Sequence, residues 1–435
     1  MMRNAADRPS RRQFLKTTAA AGAATACGLT VARSAHAGGG QAIKIGMIGC
    51  GGRCSGAAAQ ALQQGGDVKL AAMTDVFKLR MERGRQALKT QFPDQFIATD
   101  DTCLHGLDGY RRVIEESDAV LIACASKFHA FYAEEALKAG KHVFIEKPHA
   151  IDPSGCLRLK RSAELATAKN LSFVSGHESR YDVAYQEQVR RIHAGAIGDV
   201  VAIQSMFLRE PYSLVSRDPA LSEVEYQFSN WYHFRWLSGD DVTQSLVHNL
   251  DRMRWVLHEK NPTICFALGG RSTGFGEEYG DMFDHSAVVY DFAGGPRVYA
   301  LCQTRKGCYS LWDDIIMGTK GTCYWTDCRI EGETNWKYEG PRNNAHAEEQ
   351  KLLITGIREG RPVNHRDTMV DSTYMAIMGQ IATYMGRQVT WEQVLAADFE
   401  FEPRLADVTL DMPPPTVPDA NGNYKLPIPG FTKYL

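Results

Sequence analysis

The chain lacks the patterns that would tie it to a metal, a membrane or a nucleic acid. None of its eleven cysteines forms a Cys-x-x-Cys pair, and no Cys/His grouping has zinc spacing. No apolar run is long enough to span a bilayer, so no stable membrane span is expected. Positive charge is not in excess: 49 Lys and Arg stand against 51 Asp and Glu, and no basic run occurs beyond the N-terminus. That balance argues against a nucleic-acid partner. Internal repeats are absent as well. What remains is globular, 44% hydrophobic and 10% aromatic, and 435 residues exceed one ordinary core. Two domains are the default for such a length.

The N-terminus reads as a targeting segment over residues 1–37. Ser10-Arg11-Arg12-Gln13-Phe14-Leu15-Lys16 is a twin-arginine export pattern, followed by a weakly hydrophobic Ala/Thr/Gly stretch. Ala35-His36-Ala37 supplies a small-residue cleavage site. The implied partner is the twin-arginine export machinery, and the implied location is the periplasm or the medium. Ten cysteines follow this segment. Cys50, Cys54 and Cys124 suit small packing roles near turns. Cys302 with Cys308, and Cys323 with Cys328, are candidate pairs in an oxidising compartment.

The first stretch with chemical content is 43–57. Ile43, Ile45 and Ile48 suit a buried strand, Gly49, Gly51 and Gly52 a tight turn, and 55–64 a helix. A strand, a Gly-rich turn and a helix N-terminus together make a phosphate site, because the bare backbone admits a pyrophosphate to unpaired N–H groups. The third glycine of Gly-x-Gly-x-x-Gly is replaced by Cys54, a side chain small enough for close helix–strand packing. A second apolar strand, 68–74, ends at Asp75. An acid about 20 positions past the turn can accept hydrogen bonds from an adenosine ribose and would repel a 2′-phosphate, which favours NAD over NADP. Asp75 could equally cap a helix over 76–88.

Strand–helix alternation continues to about Lys147, as in a parallel doubly wound sheet. The strand 142–145 runs into Glu146-Lys147-Pro148. Ligands bind beyond the carboxyl ends of such strands, and Pro148 keeps Lys147 out of helical geometry. With Gly49-Cys50-Gly51-Gly52-Arg53, Asp75 and Ala125-Ser126-Lys127-Phe128-His129, the chain resembles the glucose–fructose oxidoreductase / inositol dehydrogenase (Gfo/Idh/MocA) family from Ile43 to about Val394. Asn230-Trp231, Trp236-Leu237-Ser238-Gly239-Asp240 and His248-Asn249-Leu250-Asp251 look most like its secreted members.

The resemblance implies an α/β protein: an N-terminal Rossmann dinucleotide-binding domain (42–170) and a C-terminal α/β domain with an open, mostly antiparallel sheet (171–410), then a Pro-rich tail (411–435). It implies a homo-oligomer; the Pro-rich end itself, beyond the stretch of resemblance, reads as an extended arm suited to clasping a neighbour. Gly49, Gly51, Gly52, Arg53, Asp75, Ser126, His129, Glu146 and Lys147 would bind the cofactor. Arg180, Tyr181, Trp231, Gln244 and Asp251 would line the substrate cleft, and no metal is implied. The segment 240–257 reads as one amphipathic helix in which Gln244, His248, Asp251 and Trp255 form a polar row.

His248 would take the hydroxyl proton of a sugar or cyclitol, with Lys147 stabilising developing alkoxide. Asp251 would orient His248, or else serve as a cap or in a structural salt bridge. Many relatives carry an acid four residues before the histidine, where this chain has Gln244, and a neutral amide can only hydrogen-bond. Trp231, Tyr232, Trp236 and Trp255 would stack on sugar faces or pack a core. Folded export allows NAD to be loaded before crossing, and no soluble nicotinamide pool recycles it outside. Two activities meet that constraint: an oxidoreductase that regenerates its NAD in place, and an α-N-acetylgalactosaminidase-like glycosidase working by transient oxidation, elimination and re-reduction. Replacing Arg11 and Arg12 with Lys should leave the protein in the cytoplasm, as read by cell fractionation.

Overall fold

Six short apolar runs separated by helices build the first sheet. The computed structural model describes residues 42–435; the export segment lies outside the described residues. The strands are β1 (Ile43–Ile48), β2 (Val68–Asp75), β3 (Cys103–His105), β4 (Ala119–Ile122), β5 (His142–Ile145) and β6 (Phe173–Ser175). All pair in parallel, in the order β3-β2-β1-β4-β5-β6. β4, β5 and β6 are buried at every residue, as strands covered on both faces must be. The order reverses between β1 and β4, so a crevice opens beyond their carboxyl ends. Helix α1 (Gly52–Leu62) starts earlier than residue 55, directly from the Gly-rich turn. β4 stops at Ile122; Ala123 still donates to Ile48 O of β1, and with Cys124 and Ala125 it lines that crevice.

The second sheet comprises β7 (Val200–Arg209), β8 (Ile264–Gly270), β9 (His285–Asp291), β10 (Arg297–Thr304), β11 (Leu311–Gly318), β12 (Gly321–Tyr324), β13 (Arg329–Gly332), β14 (Trp336–Lys337) and β15 (Val389–Thr390). Its order is β14-β13-β12-β11-β7-β10-β9-β8-β15, antiparallel except between β7 and β10. One face packs on the chain's own helices. On the other, Phe266, Leu268 and Tyr299 are exposed, alternating with buried Cys265, Ala267 and Val298.

The expected helix over 240–257 is two pieces. A π-helical turn, Val242–Leu246, runs into α2 (Val247–Val256). Widening the repeat before His248 breaks the polar row, and Gln244 and Asp251 are buried rather than solvated. Helix α3 (Ala345–Arg358) lies against α1. In helix α4 (Arg366–Met385) every residue from Ser372 to Met385 is buried, the mark of a helix enclosed by protein. Among the described residues, no helix is long and apolar enough to cross a membrane.

Two expectations are corrected here. Cys302, Cys308, Cys323 and Cys328 are all free thiols. The Pro-rich tail folds back on its own chain instead of reaching outward: Tyr424 is buried with its hydroxyl donating to Glu223 at 2.6 Å, Gly430 N–H donates to Met385 O at 2.7 Å, and Tyr434 packs on Phe399 and Phe401.

α2 is fixed to the sheet by a wholly buried ion pair, Arg252 Nη2 to Asp314 Oδ2 at 2.8 Å. The guanidinium lies between the rings of Trp312 and Trp325, 4.8 and 5.3 Å from their centroids. Asp314 also accepts from Asn249 Nδ2 at 2.8 Å. Asp314→Ala strands a buried cation, so the free energy of unfolding should fall by about 3–5 kcal/mol in urea denaturation.

Candidate active site

The Gly-rich turn is built for close approach. Gly49 has φ +97°, and a Cβ there would meet Ala123 O at 2.3 Å, so only glycine fits. At Gly51 and Gly52 an added Cβ would meet nothing within 4 Å. Both open onto a cavity of about 310 Å³ that Asp75 also lines. The Asp75 carboxylate accepts from Cys50 N–H at 2.8 Å and Phe77 N–H at 3.0 Å, which holds it at the cavity wall with lone pairs to spare. The next helix begins only at Lys78, so Asp75 is not its N-cap. Cys54 points away from the cavity, fully buried, its thiol against Leu121 O at 3.6 Å. Burial pushes that thiol up to about 12 and leaves it inert. Open glycines, free helix N–H groups and a wall carboxylate fit the pyrophosphate and ribose of NAD.

The far wall of the cavity belongs to the second half of the chain: Ser213, Val215, Phe228, Ser229, Trp231 and Tyr232. Trp231 therefore faces the nucleotide cavity and not a sugar site. It stacks on Tyr232 (centroids 3.8 Å apart), which stacks on Tyr212 (4.0 Å), over which Arg209 lies at 3.5 Å. Arg80 Nη2 ties the two walls together by donating to Ser229 O at 2.7 Å.

Arg53 lines the cavity but spends its charge elsewhere, paired with Glu146 and, at 3.1 Å, with Glu349 of α3. Burial opposes ionisation of Glu146, yet Arg53 and Lys147 outweigh it and the net shift is downward. Ser126 and His129 are buried braces. Ser126 Oγ accepts from Gln244 Nε2 at 2.7 Å, and His129 Nδ1 donates to Pro148 O at 2.8 Å. Burial lowers the His129 pKa, so the ring holds the Glu146-Lys147-Pro148 turn as a neutral group.

Lys147 and His248 are brought to one place. Lys147 Nζ donates to Gln244 O at 2.8 Å, one turn before His248, and its charge reaches the imidazole. The His248 pKa is lowered chiefly by burial; Glu178 opposes the shift and Lys147 reinforces it. His248 Nδ1 lies 2.9 Å from Glu178 Oε2, a residue that sequence reasoning missed. The only hint was an acid just past the carboxyl end of a parallel strand. The rings of Phe207 and Trp312 stand 6.2 and 6.1 Å from the imidazole centroid, and Trp312 is 39% exposed.

Four expected substrate contacts, Asp251, Arg180, Tyr181 and Gln244, are placed otherwise. Asp251, 1% exposed, is gripped by Arg180 at 2.8 and 2.9 Å and accepts from Ser372 Oγ at 2.7 Å, so it does not orient His248. Burial would raise its pKa, but Arg180 and His177 hold it well below the usual carboxylate range. Arg180 and Tyr181 line a separate cavity of about 710 Å³ with His177, His365 and α3. The Gln244 amide is consumed by Ser126 and by Ser238 O at 2.8 Å. Trp236 is core, and Trp255 lies beneath Arg180. Among the described residues no group of three or more His, Cys, Asp or Glu could hold a metal ion.

The chain is similar to known proteins in its first domain, its N-terminal segment and its fold. Residues 43–173 match the profile described as the oxidoreductase family (Gfo/Idh/MocA), NAD-binding Rossmann fold. Residues 8–27 match a twin-arginine translocation pathway signal sequence, which directs export to the periplasm or beyond. Inositol 2-dehydrogenase 3 of Saccharopolyspora erythraea is 30% identical over 47% of this chain and 53% of its own length. Inositol 2-dehydrogenase of Acidothermus cellulolyticus is 28% identical over 55% and 61%. The Rhizobium meliloti inositol 2-dehydrogenase is 24% identical over 74% and 90%. The chain thus spans about half to three-fifths of the first two relatives and nine-tenths of the third. Among solved structures, an oxidoreductase from Thermotoga maritima superposes with a TM-score of 0.63 at 19% identity, covering 82% of this chain and 100% of that one. Scyllo-inositol dehydrogenase from Lactobacillus casei with bound NAD(H) and scyllo-inositol gives 0.60 at 20% identity, covering 81% and 100%. At those identities the structures establish the shared fold.

Because the Cβ at position 51 meets no protein atom, Gly51→Val should fold normally yet fill the cradle. The expected result is an unchanged melting temperature of the nucleotide-free protein, with NAD binding weakened at least about tenfold in calorimetry, a loss of roughly 1.4 kcal/mol.

Proposed function

From the premise that this chain carries the NAD-binding Rossmann domain of the Gfo/Idh/MocA oxidoreductases, we propose that it is an exported enzyme acting on a secondary hydroxyl of a sugar or cyclitol with a retained NAD. One observation carries the reading: Lys147, just past the carboxyl end of β5, donates to the carbonyl of Gln244 in the second half, and its charge reaches the imidazole of His248 one turn on. NAD, when bound, supplies the hydride acceptor or donor. The chain's own groups move the proton. Burial keeps His248 neutral near pH 7, ready to accept a hydroxyl proton. Lys147 uses one of its three donors on Gln244 O, and the other two remain for a developing alkoxide. Phe207 and Trp312 offer ring faces beside the imidazole for the C–H surface of a sugar or cyclitol. The inositol dehydrogenase relatives support the cyclitol class.

Retention is supported by the cavity's construction. Its far wall and the Arg80–Ser229 bond enclose the nucleotide site from the second half of the chain, so exchange requires that wall to move. The exposed apolar row Phe266, Leu268 and Tyr299 on the second sheet supports a homo-oligomer.

Protein purified without added cofactor should carry nucleotide. Incubated with inositols, free sugars and glycosides, it should develop bound-NADH absorbance with a cyclitol or free sugar. Sugar release from a glycoside at constant NAD would instead establish the glycosidase cycle, and failure to bind NAD at all would sink both. Since His248 must be neutral to act as base, oxidation should be fast above its lowered pKa and fall as pH drops through it. The acid limb of the kcat profile should therefore have its midpoint below 6.5.

A further inference from the structure

A base that takes a proton at one ring nitrogen works best with an anion behind the other, and the helix bearing His248 supplies none. Position 244 is a neutral amide turned toward Ser126 and Ser238. Asp251 is committed to Arg180. We propose that Glu178, on the turn Glu178–Tyr181 that follows β6, is the positioning residue for His248, a carboxylate brought from the edge of the first sheet to the place the helix leaves empty. This rests on the oxidoreductase reading above.

The geometry is specific. Glu178 Oε2 stands 2.9 Å from His248 Nδ1, and the two side chains are only 14% and 13% exposed. Oε1 of the same carboxylate accepts from Ser179 Oγ at 3.2 Å, which leaves Oε2 for the ring. The charged or titratable groups acting on the imidazole come from two segments: Lys147 after β5, and His177 and Glu178 after β6. From the second sheet the neighbours are the non-ionising rings of Phe207 and Trp312. Glu178 is the one anion among them. The N–H of Nδ1 is not yet aligned along the contact, as is common before substrate closes a site.

With Nδ1–H directed at Glu178, the lone pair of Nε2 faces outward. In the oxidation step the hydroxyl O–H bond breaks and a new N–H bond forms at Nε2. Nδ1 keeps its proton, and Glu178 remains a carboxylate opposite the imidazolium. Burial opposes the charge on Glu178, but the hydrogen-bonding imidazole of His248, with His346 and Lys147, holds its pKa far below the usual range, so it stays ionised through this cycle.

The test needs no substrate, so it separates this inference from the proposed activity. In full-length, ¹⁵N-labelled, NAD-loaded protein, His248 ring resonances are assigned by their loss in His248→Ala. The two-bond ¹H–¹⁵N pattern should show the Nδ1-protonated tautomer near neutral pH. Glu178→Met, which keeps length and removes the acceptor, should shift the ring toward the Nε2-protonated form. Glu178→Gln should move its titration midpoint down by about one pH unit or more. An Nε2-protonated ring in the wild-type protein would overturn the proposal without recourse to any variant. So would a ring whose tautomer and midpoint ignore both substitutions. If the tautomer is as expected but no sugar or cyclitol reduces bound NAD, the positioning role stands and the reaction class is what fails.

Discussion

The helix that carries His248 buries three charges within four residues: Asp251, Arg252 and Arg254, each about 1% exposed or less. An ion taken out of water without a partner costs several kcal/mol, so each must be met where it lies. Each is met by a different part of the protein. Asp251 finds Arg180 and His177 after β6, and Arg252 finds Asp314 on β11 between two indole rings. Arg254 finds Glu259 beyond the helix and Asp371 on α4, at 3.2 and 3.4 Å. Rotation or sliding of this helix would strand at least one charge. Its register is therefore fixed from three sides, and the imidazole one turn earlier inherits that precision. Positioning a proton acceptor to a fraction of an ångström demands such overdetermination.

What could be read in the sequence was whatever is encoded locally. The strand ending at Ile48, the glycines after it, Asp75 at the end of β2 and Glu146-Lys147-Pro148 after β5 are contiguous patterns with a fixed spatial meaning in a parallel sheet. Cys54 was legible too, because a thiol one methylene long fits where helix and strand nearly touch. The active-site helix was not legible. A regular 3.6-residue period places Gln244, His248 and Asp251 in one row, and the π-helical turn Val242–Leu246 breaks that register just before the histidine. Partners brought from far along the chain were beyond reach as well. Glu178 meets His248 across 70 residues, and the Asp251–Arg180 pair spans a separation of 71. No periodicity reports contacts of that range. Arg180 and Trp231 carried the right chemistry for a ligand cleft and were drawn off by closer claims, one by Asp251 and one by the nucleotide cavity.

The two halves are joined at the site in both directions. Lys147 and Ser126 of the first half bond to the carbonyl and amide of Gln244, and the second half returns Trp231 and Tyr232 to wall the nucleotide cavity. Cofactor binding and catalytic assembly thus share one interface. Under the proposed function, the contacts that arrange Lys147 and His248 would also hinder nucleotide escape from a protein exported in the folded state.

Gln244 explains why the anion behind His248 comes from elsewhere. Its Nε2 donates both to Ser126 Oγ and to the carbonyl of Ser238, at 2.7 and 2.8 Å in a fully buried setting. A carboxylate in the same position would set acceptor against acceptor at Ser238, at the cost of a buried repulsion and a lost hydrogen bond. Its charge, a third beside Glu146 and Glu178, would also weaken the claim of each on Lys147. A neutral amide there keeps the inter-domain bonds, and the imidazole then needs an anion from another direction. The turn after β6 already approaches at 2.9 Å with Glu178. The amide at 244 and the acid at 178 are one arrangement: the first braces the two halves through Ser126 and Ser238, and the second serves the histidine.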